Sequence, residues 1–283
     1  MLANAEPVVS LQGIVRHFGR FAALRGVTAE FPAPTRATTS RPADPATGRL
    51  VLILGENGAG KSTLLRIMAG LLKPTRGSVS MLGATDLREV ASRVGYMGHA
   101  PLLYDELTAL ENLRYFAGLY GINDDARCRA AIRLVGLDPE LKRGVGQYSQ
   151  GMRQRISLAR AIVHDPELLL LDEPFSNVDV QSAREMARLL GNMRADGKTI
   201  FVVTHQPAVL GEVVDESLLL SAGVLAARER GLPEYLKFPF MQRGHYPDKD
   251  REQDQNQNSQ NQSKDQDKGD DGVCPASLEG GER

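Results

Sequence analysis

Nine consecutive residues constrain this chain more than any others. Gly55, Glu56, Asn57, Gly58, Ala59, Gly60, Lys61 and Ser62 fit the pattern G-x-x-x-x-G-K-[ST], and Thr63 follows directly. They stand between an apolar run, residues 50–54, that reads as a buried strand and a helical pattern from Lys61 to about Leu72. Glycines let the backbone curl until successive N–H groups face one anion, at the positive end of the following helix. In that arrangement Lys61 reaches the β- and γ-phosphates of a nucleotide, and the Ser62 hydroxyl completes a Mg2+ shell.

The same alternation of strand and helix continues downstream. Residues 167–172 and 199–204 read as further buried strands. Between them lies a helix over residues 185–193, with Met186, Leu189, Leu190 and Met193 on one face. This predicts a mostly parallel sheet covered on both faces. Residues 107–163 read as helix after helix, which predicts a helical subdomain inserted into the α/β core. Residues 32–47, rich in Pro, Thr, Ala and Arg, read as an exposed loop between strands.

Charge separates the folded part from its end. The chain of 283 residues carries 34 Lys and Arg against 35 Asp and Glu, a net charge of −1. From Asp248 onward there are 10 acids and 5 bases, so the tail holds −5 and the remainder +4. Residues 253–271 are almost wholly Gln, Asn, Asp, Ser and Lys, with no apolar surface to offset chain entropy. The expected organisation is one folded domain over residues 1–246 and a disordered polar tail over 247–283. Nothing in the charge argues for a nucleic-acid partner. The two cysteines, Cys128 and Cys274, fit neither a disulfide framework nor a zinc module. No apolar run approaches the roughly 18 residues of a membrane span, and residues 1–10 lack a signal peptide's basic start and apolar stretch. The expected compartment is reducing and cytoplasmic, with any membrane role arriving through a partner.

A second cluster of chemistry sits at strand ends. Asp172 and Glu173 close the run Leu168-Leu169-Leu170-Leu171, at the sheet edge where open α/β folds bind ligands. Asp172 suits a Mg2+ position, and Glu173 suits orienting or deprotonating an attacking water. His205 follows the next apolar strand and is expected to contact a γ-phosphate from the same edge.

Phosphate loops serve kinases, GTPases and many ATPases, so the discriminating segment is Tyr148-Ser149-Gln150-Gly151-Met152-Arg153-Gln154-Arg155, some twenty residues before Asp172. It resembles the L-S-G-G-Q signature of ABC-type ATPases. With the phosphate loop, Asp172, Glu173, residues 176–179 and His205 in the family's order, the likeness spans about residues 8–225. The resemblance implies an α/β P-loop NTPase core of ABC type: a mostly parallel sheet, an antiparallel β subdomain and an inserted helical subdomain over about residues 97–165. It implies ATP and Mg2+ as cofactors. It also implies ATP hydrolysis coupled to transport, by two such domains facing head to tail as a homodimer. Ser149 and Gly151 then touch the γ-phosphate held by the partner's loop, Asp179 sits across the interface, and Phe18 stacks on adenine.

Three departures accompany the likeness. His99 stands where the family's switch glutamine senses Mg2+ and the attacking water; imidazole reaches less far and titrates near neutrality. Gln150 replaces the first glycine of the signature, leaving close backbone approach to Gly151. The loop over residues 32–47 exceeds the family's usual hairpin. The likeness also implies multi-span membrane subunits as partners, at the cytoplasmic face of the inner membrane, docking near residues 99–108, where Leu102, Leu103 and Tyr104 offer either contact or core. Residues 99–113 are most similar to the ATP-binding subunit of the cytochrome c maturation (haem) exporter, although drug and lipid exporters carry similar stretches. Soluble mechanochemical relatives usually carry two cassettes or a coiled-coil insertion, and this chain has neither. Arg153, Arg155 and Arg160, on the helix after the signature, read as a solvated basic face with interdomain salt bridges.

Overall fold

The structure is a computed structural model and describes residues 6–34 and 48–237. The expected tail over 247–283 and most of the loop over 32–47 lie outside the described residues. Chain order runs β1 (Pro7–Phe18), β2 (Phe21–Pro32), β3 (Arg49–Leu54), α1 (Lys61–Met68), β4 (Arg76–Met81), β5 (Val94–Met97), α2 (Ala109–Leu119), α3 (Asp125–Leu134), α4 (Gln150–Ile162), β6 (Leu168–Asp172), α5 (Val180–Ala195), β7 (Thr199–Val203), β8 (Glu216–Ser221) and β9 (Val224–Arg230).

Two sheets organise these elements. One is antiparallel, in the order β2-β1-β4; the other has six strands in the order β5-β6-β7-β3-β8-β9. In the second, β5, β6, β7, β3 and β8 run parallel, and β9 returns antiparallel to β8. The expected parallel sheet and antiparallel subdomain are both present, and α2, α3 and α4 form the expected helical insertion.

The apolar runs that read as buried strands are buried on both faces, and their period of two divides them between two cores. Leu50, Leu52, Leu169, Leu171, Ile200 and Val202 face the helices α2–α5. Val51, Ile53, Leu168, Leu170, Phe201 and Val203 face α1 and the antiparallel sheet. Each side chain withdrawn from water contributes about 1.5–3 kcal/mol. The parallel sheet is therefore clamped from both sides, and its strand ends are held in fixed relative positions.

Element ends correct the expected boundaries at three places. α1 stops at Met68 rather than near Leu72, because Gly70 adopts φ 70° and its N–H, with that of Leu71, closes back onto the Ile67 and Arg66 carbonyls. α5 is longer than residues 185–193, since Asp179 caps it through the Ser182 N–H at 2.9 Å. The third parallel strand stops at Val203. Arg160 is buried rather than solvated: it donates to the Tyr96 carbonyl and lies over the Phe116 ring. Arg153 and Arg155 are not solvated either: Arg155 bridges from α4 to Glu185 on α5, as expected between subdomains, but Arg153 bridges to Asp105 within the helical insertion itself. Arg160 therefore packs the helical insertion against the core instead of facing water.

Candidate active site

α2, α3, α4 and α5 each begin with a side-chain cap, from Thr108, Asp124, Ser149 and Asp179. α1 begins differently. Its N-cap is Gly60 at φ 101°, with no side-chain cap. The N–H groups of its first turn therefore remain available to an anion that also gains from the helix dipole. The loop is shaped tightly around this end. A Cβ at Gly55 would meet the Leu220 carbonyl oxygen at 2.2 Å, and one at Gly60 would meet that of Ala23 at 2.6 Å. Both positions also have positive φ, so glycine is required twice over.

Lys61 is buried, and its Nζ donates to the Gly55 and Glu56 carbonyls at 2.7 and 2.8 Å. Burial lowers its pKa, against the opposing pull of the Glu173 and Asp172 carboxylates. The ammonium is thus held by the backbone of its own loop, beside the helix end.

β6 and β7 are neighbours in the sheet, and their C-terminal ends deliver the acidic groups and His205. The Ser62 hydroxyl donates to Asp172 Oδ1 at 3.0 Å, while Asp172 Oδ2 is buried without a hydrogen-bond partner. Hydroxyl and carboxylate oxygens suit a hard cation, so this pair fits Mg2+. Glu173 accepts the His205 N–H on Oε2 at 3.1 Å, and its Oε1 is also buried and unpartnered, with His205 Nε2 3.4 Å away. Burial raises the Glu173 pKa, and the His205 N–H is the largest opposing influence. A carboxyl group of this kind is suited to taking up a proton. Its backbone is unusual as well, with φ 57° in a non-glycine residue.

These groups line one cleft of about 500 Å³. It brings together Phe18, Asn57, Gly58, Gly60, Lys61, Ser62, Thr63, His99, Asp172, Glu173 and His205. Gly55, Glu56 and Ala59 belong to the same loop but do not line the cleft. Ser149 and Gly151 do not line the cleft: the Ser149 hydroxyl accepts the Met152 N–H at 3.2 Å as the cap of α4. Asp179 caps α5 in the same way. Phe18 is 46% exposed at the turn of the β1–β2 hairpin, and the Arg16 guanidinium lies 4.7 Å from its ring centroid.

Phe21 and Arg66 also line the cleft, and sequence reasoning named neither for the site. Phe21 pairs with Phe18 across the two-residue turn, so the repeated aromatic around Gly19 was the available signal. Arg66 follows Ser62 by four residues on α1, a spacing that puts both on one helix face.

A second concavity, about 320 Å³, lies between the helical insertion and the core, with Leu71, Leu102, Phe116, Tyr120, Arg160 and His164 among its walls. Leu102 and Tyr104 are exposed, whereas Leu103 packs against the core, so the three residues named for contact divide between the two roles.

The ABC transporter family model matches residues 44–176. The chain is 37% identical over 188 residues to the ABC transporter ATP-binding protein NatA of Bacillus subtilis, covering 64% of this chain and 76% of that protein. It is 34% identical over 208 residues to a fluoroquinolones export ATP-binding protein of Mycobacterium tuberculosis, covering 72% and 69%. Across the first curated relatives the chain spans from 53% to 76% of their length. Among solved structures, a dimeric ATP-binding cassette in a post-hydrolysis state with ADP and Pi superposes with a TM-score of 0.67 at 26% identity, over 78% of this chain and 98% of that one. No described helix is long and apolar enough to cross a membrane. Fold, phosphate loop and relatives converge on one assignment: the chain belongs to the ATP-binding subunits of ABC transporters.

Proposed function

We propose that this chain hydrolyses Mg-ATP as one half of a head-to-tail pair and drives a membrane-spanning exporter. One observation carries the catalytic part. Two buried carboxylate oxygens, Asp172 Oδ2 and Glu173 Oε1, lack hydrogen-bond partners in the same cleft as an uncapped helix N-terminus. Buried polar atoms are ordinarily satisfied, so the unpaired ones point to groups that arrive with the substrate. Ser62 and Asp172 would hold Mg2+, which supplies neutralisation of phosphate charge. Lys61 would exchange the Gly55 and Glu56 carbonyls for phosphate oxygens. Glu173 would accept the proton of the attacking water, with His205 beside it and His99 on the cleft wall. Phe18 would stack on adenine.

The paired arrangement is supported by what this cleft omits. Ser149 and Gly151 stand at the exposed end of α4, away from their own chain's cleft, where they can serve a second chain's nucleotide. The membrane partner would seat in the groove beside Leu102, placing this chain peripherally at the cytoplasmic face. Export is supported by the fluoroquinolone-exporting relative. Haem export for cytochrome c assembly rests on residues 99–113 alone, and another small organic cargo, a drug or lipid, fits equally. Steady-state hydrolysis with and without chelator tests the catalytic part. The expected result is turnover that requires Mg2+ and falls at least tenfold in Asp172→Asn with folding retained; metal-independent turnover, or an unaffected variant, would overturn it. Co-purification with multi-span membrane proteins, followed by stimulation of turnover by haem or by drug-like cargo, separates the two cargo classes.

A further inference from the structure

Glu173 occupies a left-handed backbone conformation that is costly for any residue with a side chain, and the surrounding structure must over-determine it. Its tethers are few and come from different elements. The Glu173 N–H donates to the Val203 carbonyl at 2.8 Å, on β7. Its carboxylate accepts from the His205 N–H at 3.1 Å. Its carbonyl accepts two donors: the Ser176 N–H at 3.2 Å, from the same turn, and the Gln154 side-chain amide, Nε2, at 2.7 Å. Gln154 is 5% exposed and stands on α4, little more than a turn from Ser149 and Gly151. The start of α4 also lies against the segment after Glu173: a Cβ at Gly151 would sit 3.6 Å from the Asn177 carbonyl oxygen.

We infer that Gln154 is a positioning residue for hydrolysis, one that holds the Glu173 backbone so that its carboxylate faces the cleft and ties that carboxylate to the helix bearing Ser149 and Gly151. The inference rests on Glu173 as the proton acceptor. A buried amide on a rigid helix transmits small displacements of that helix to the atom it grips. Seating of the α4 end at another chain's nucleotide therefore reaches the carboxylate in this chain's own cleft, with no intervening mobile loop. Packing alone would be met by an apolar side chain of similar volume; the short bond to a strained carbonyl is what a helix–strand contact does not require.

A double-mutant cycle tests this. Gln154→Met removes the donor with little change in volume, and Gln154→Glu keeps the shape while turning an acceptor toward the carbonyl; each is combined with Glu173→Gln. The measurements are kcat for Mg-ATP hydrolysis and Kd for Mg-ATP, with thermal unfolding verifying that each variant is folded. Each Gln154 variant is expected to lower kcat at least tenfold while Kd stays within about twofold, and to change nothing further in the Glu173→Gln background. If both variants turn over at the parental rate, or lower the residual rate of Glu173→Gln by the same factor as the parent, Gln154 is a packing residue and the inference fails. If Glu173→Gln itself hydrolyses ATP at the parental rate, the role of Glu173 fails instead, so the two failures are distinguishable.

Discussion

The cleft at the sheet edge and the N-terminus of α4 are built from the same materials, glycine, hydroxyl and a helix start, yet they end in opposite states. In the cleft, Ser62 is already bonded to Asp172, Lys61 to its own loop and Glu173 to the His205 N–H, all within one chain. At α4, the Ser149 hydroxyl only caps its own helix, and Gly151 meets no ligand-facing group of this chain. The difference is one of origin. Neighbouring parallel strands fix the cleft residues against one another, whereas the α4 end is presented outward by the helical insertion. A site completed within the chain binds on its own; an outward end acts only when a second molecule meets it.

Variants on the two sides should therefore separate binding from turnover. The largest effect is expected for Glu173→Gln, which removes the proton acceptor and should lower hydrolysis by about 10²–10⁴-fold. Its ATP affinity should stay within a small factor in equilibrium binding. Next comes Ser149→Ala. Losing a hydrogen bond to a charged phosphate costs about 1.5–3 kcal/mol, or roughly 10–100-fold in turnover. Loss of the cap should cost about 1 kcal/mol in denaturant unfolding. Nucleotide affinity of dilute single chains should not change; a parallel loss of that affinity would erase the distinction between the two regions.

Phe18→Ala should act only within the cleft. Removing the stacking surface is worth about 0.5–1.5 kcal/mol, a roughly 2- to 13-fold weaker Kd, with kcat retained. The smallest effect concerns stability in the nucleotide-free protein under chelator. Burial raises the Glu173 pKa above its unfolded value, so its favourable contribution is complete only below the unfolded pKa and disappears as pH rises through the folded one. Wherever the carboxylate is ionised, its burial opposes folding. Glu173→Gln should then raise the melting temperature at pH 7, and the gain should shrink as pH falls toward the acidic range. A melting temperature lowered at neutral pH would show that the carboxylate's bonds outweigh its burial.

What was legible in the sequence shared one property: chemistry placed directly after an apolar run. The loop follows residues 50–54, Asp172 and Glu173 follow four leucines, and His205 follows β7, so a strand's end located each group without tertiary knowledge. The antiparallel sheet was visible only through family resemblance. In β1 the apolar alternation breaks at Gly13, where the register with β2 slips between Leu11 and Ile14, and a strict period-two pattern does not survive that irregularity. Arg160 misled for a different reason. A cation on a helix reads as solvated, but the Phe116 ring and Tyr96 carbonyl that receive it come from distant segments. Gln154 is silent in the same way, since its partner is a backbone carbonyl whose conformation no sequence pattern announces.

The division between a completed cleft and an outward signature end is tested most directly by the mass of Glu173→Gln at saturating Mg-ATP, measured by sedimentation beside the same variant carrying Ser149→Ala. The arrangement predicts a two-chain species for Glu173→Gln that weakens or disappears when Ser149 is removed, with nucleotide still bound to the separated chains. Single chains at every protein concentration, fully loaded with Mg-ATP, would contradict it.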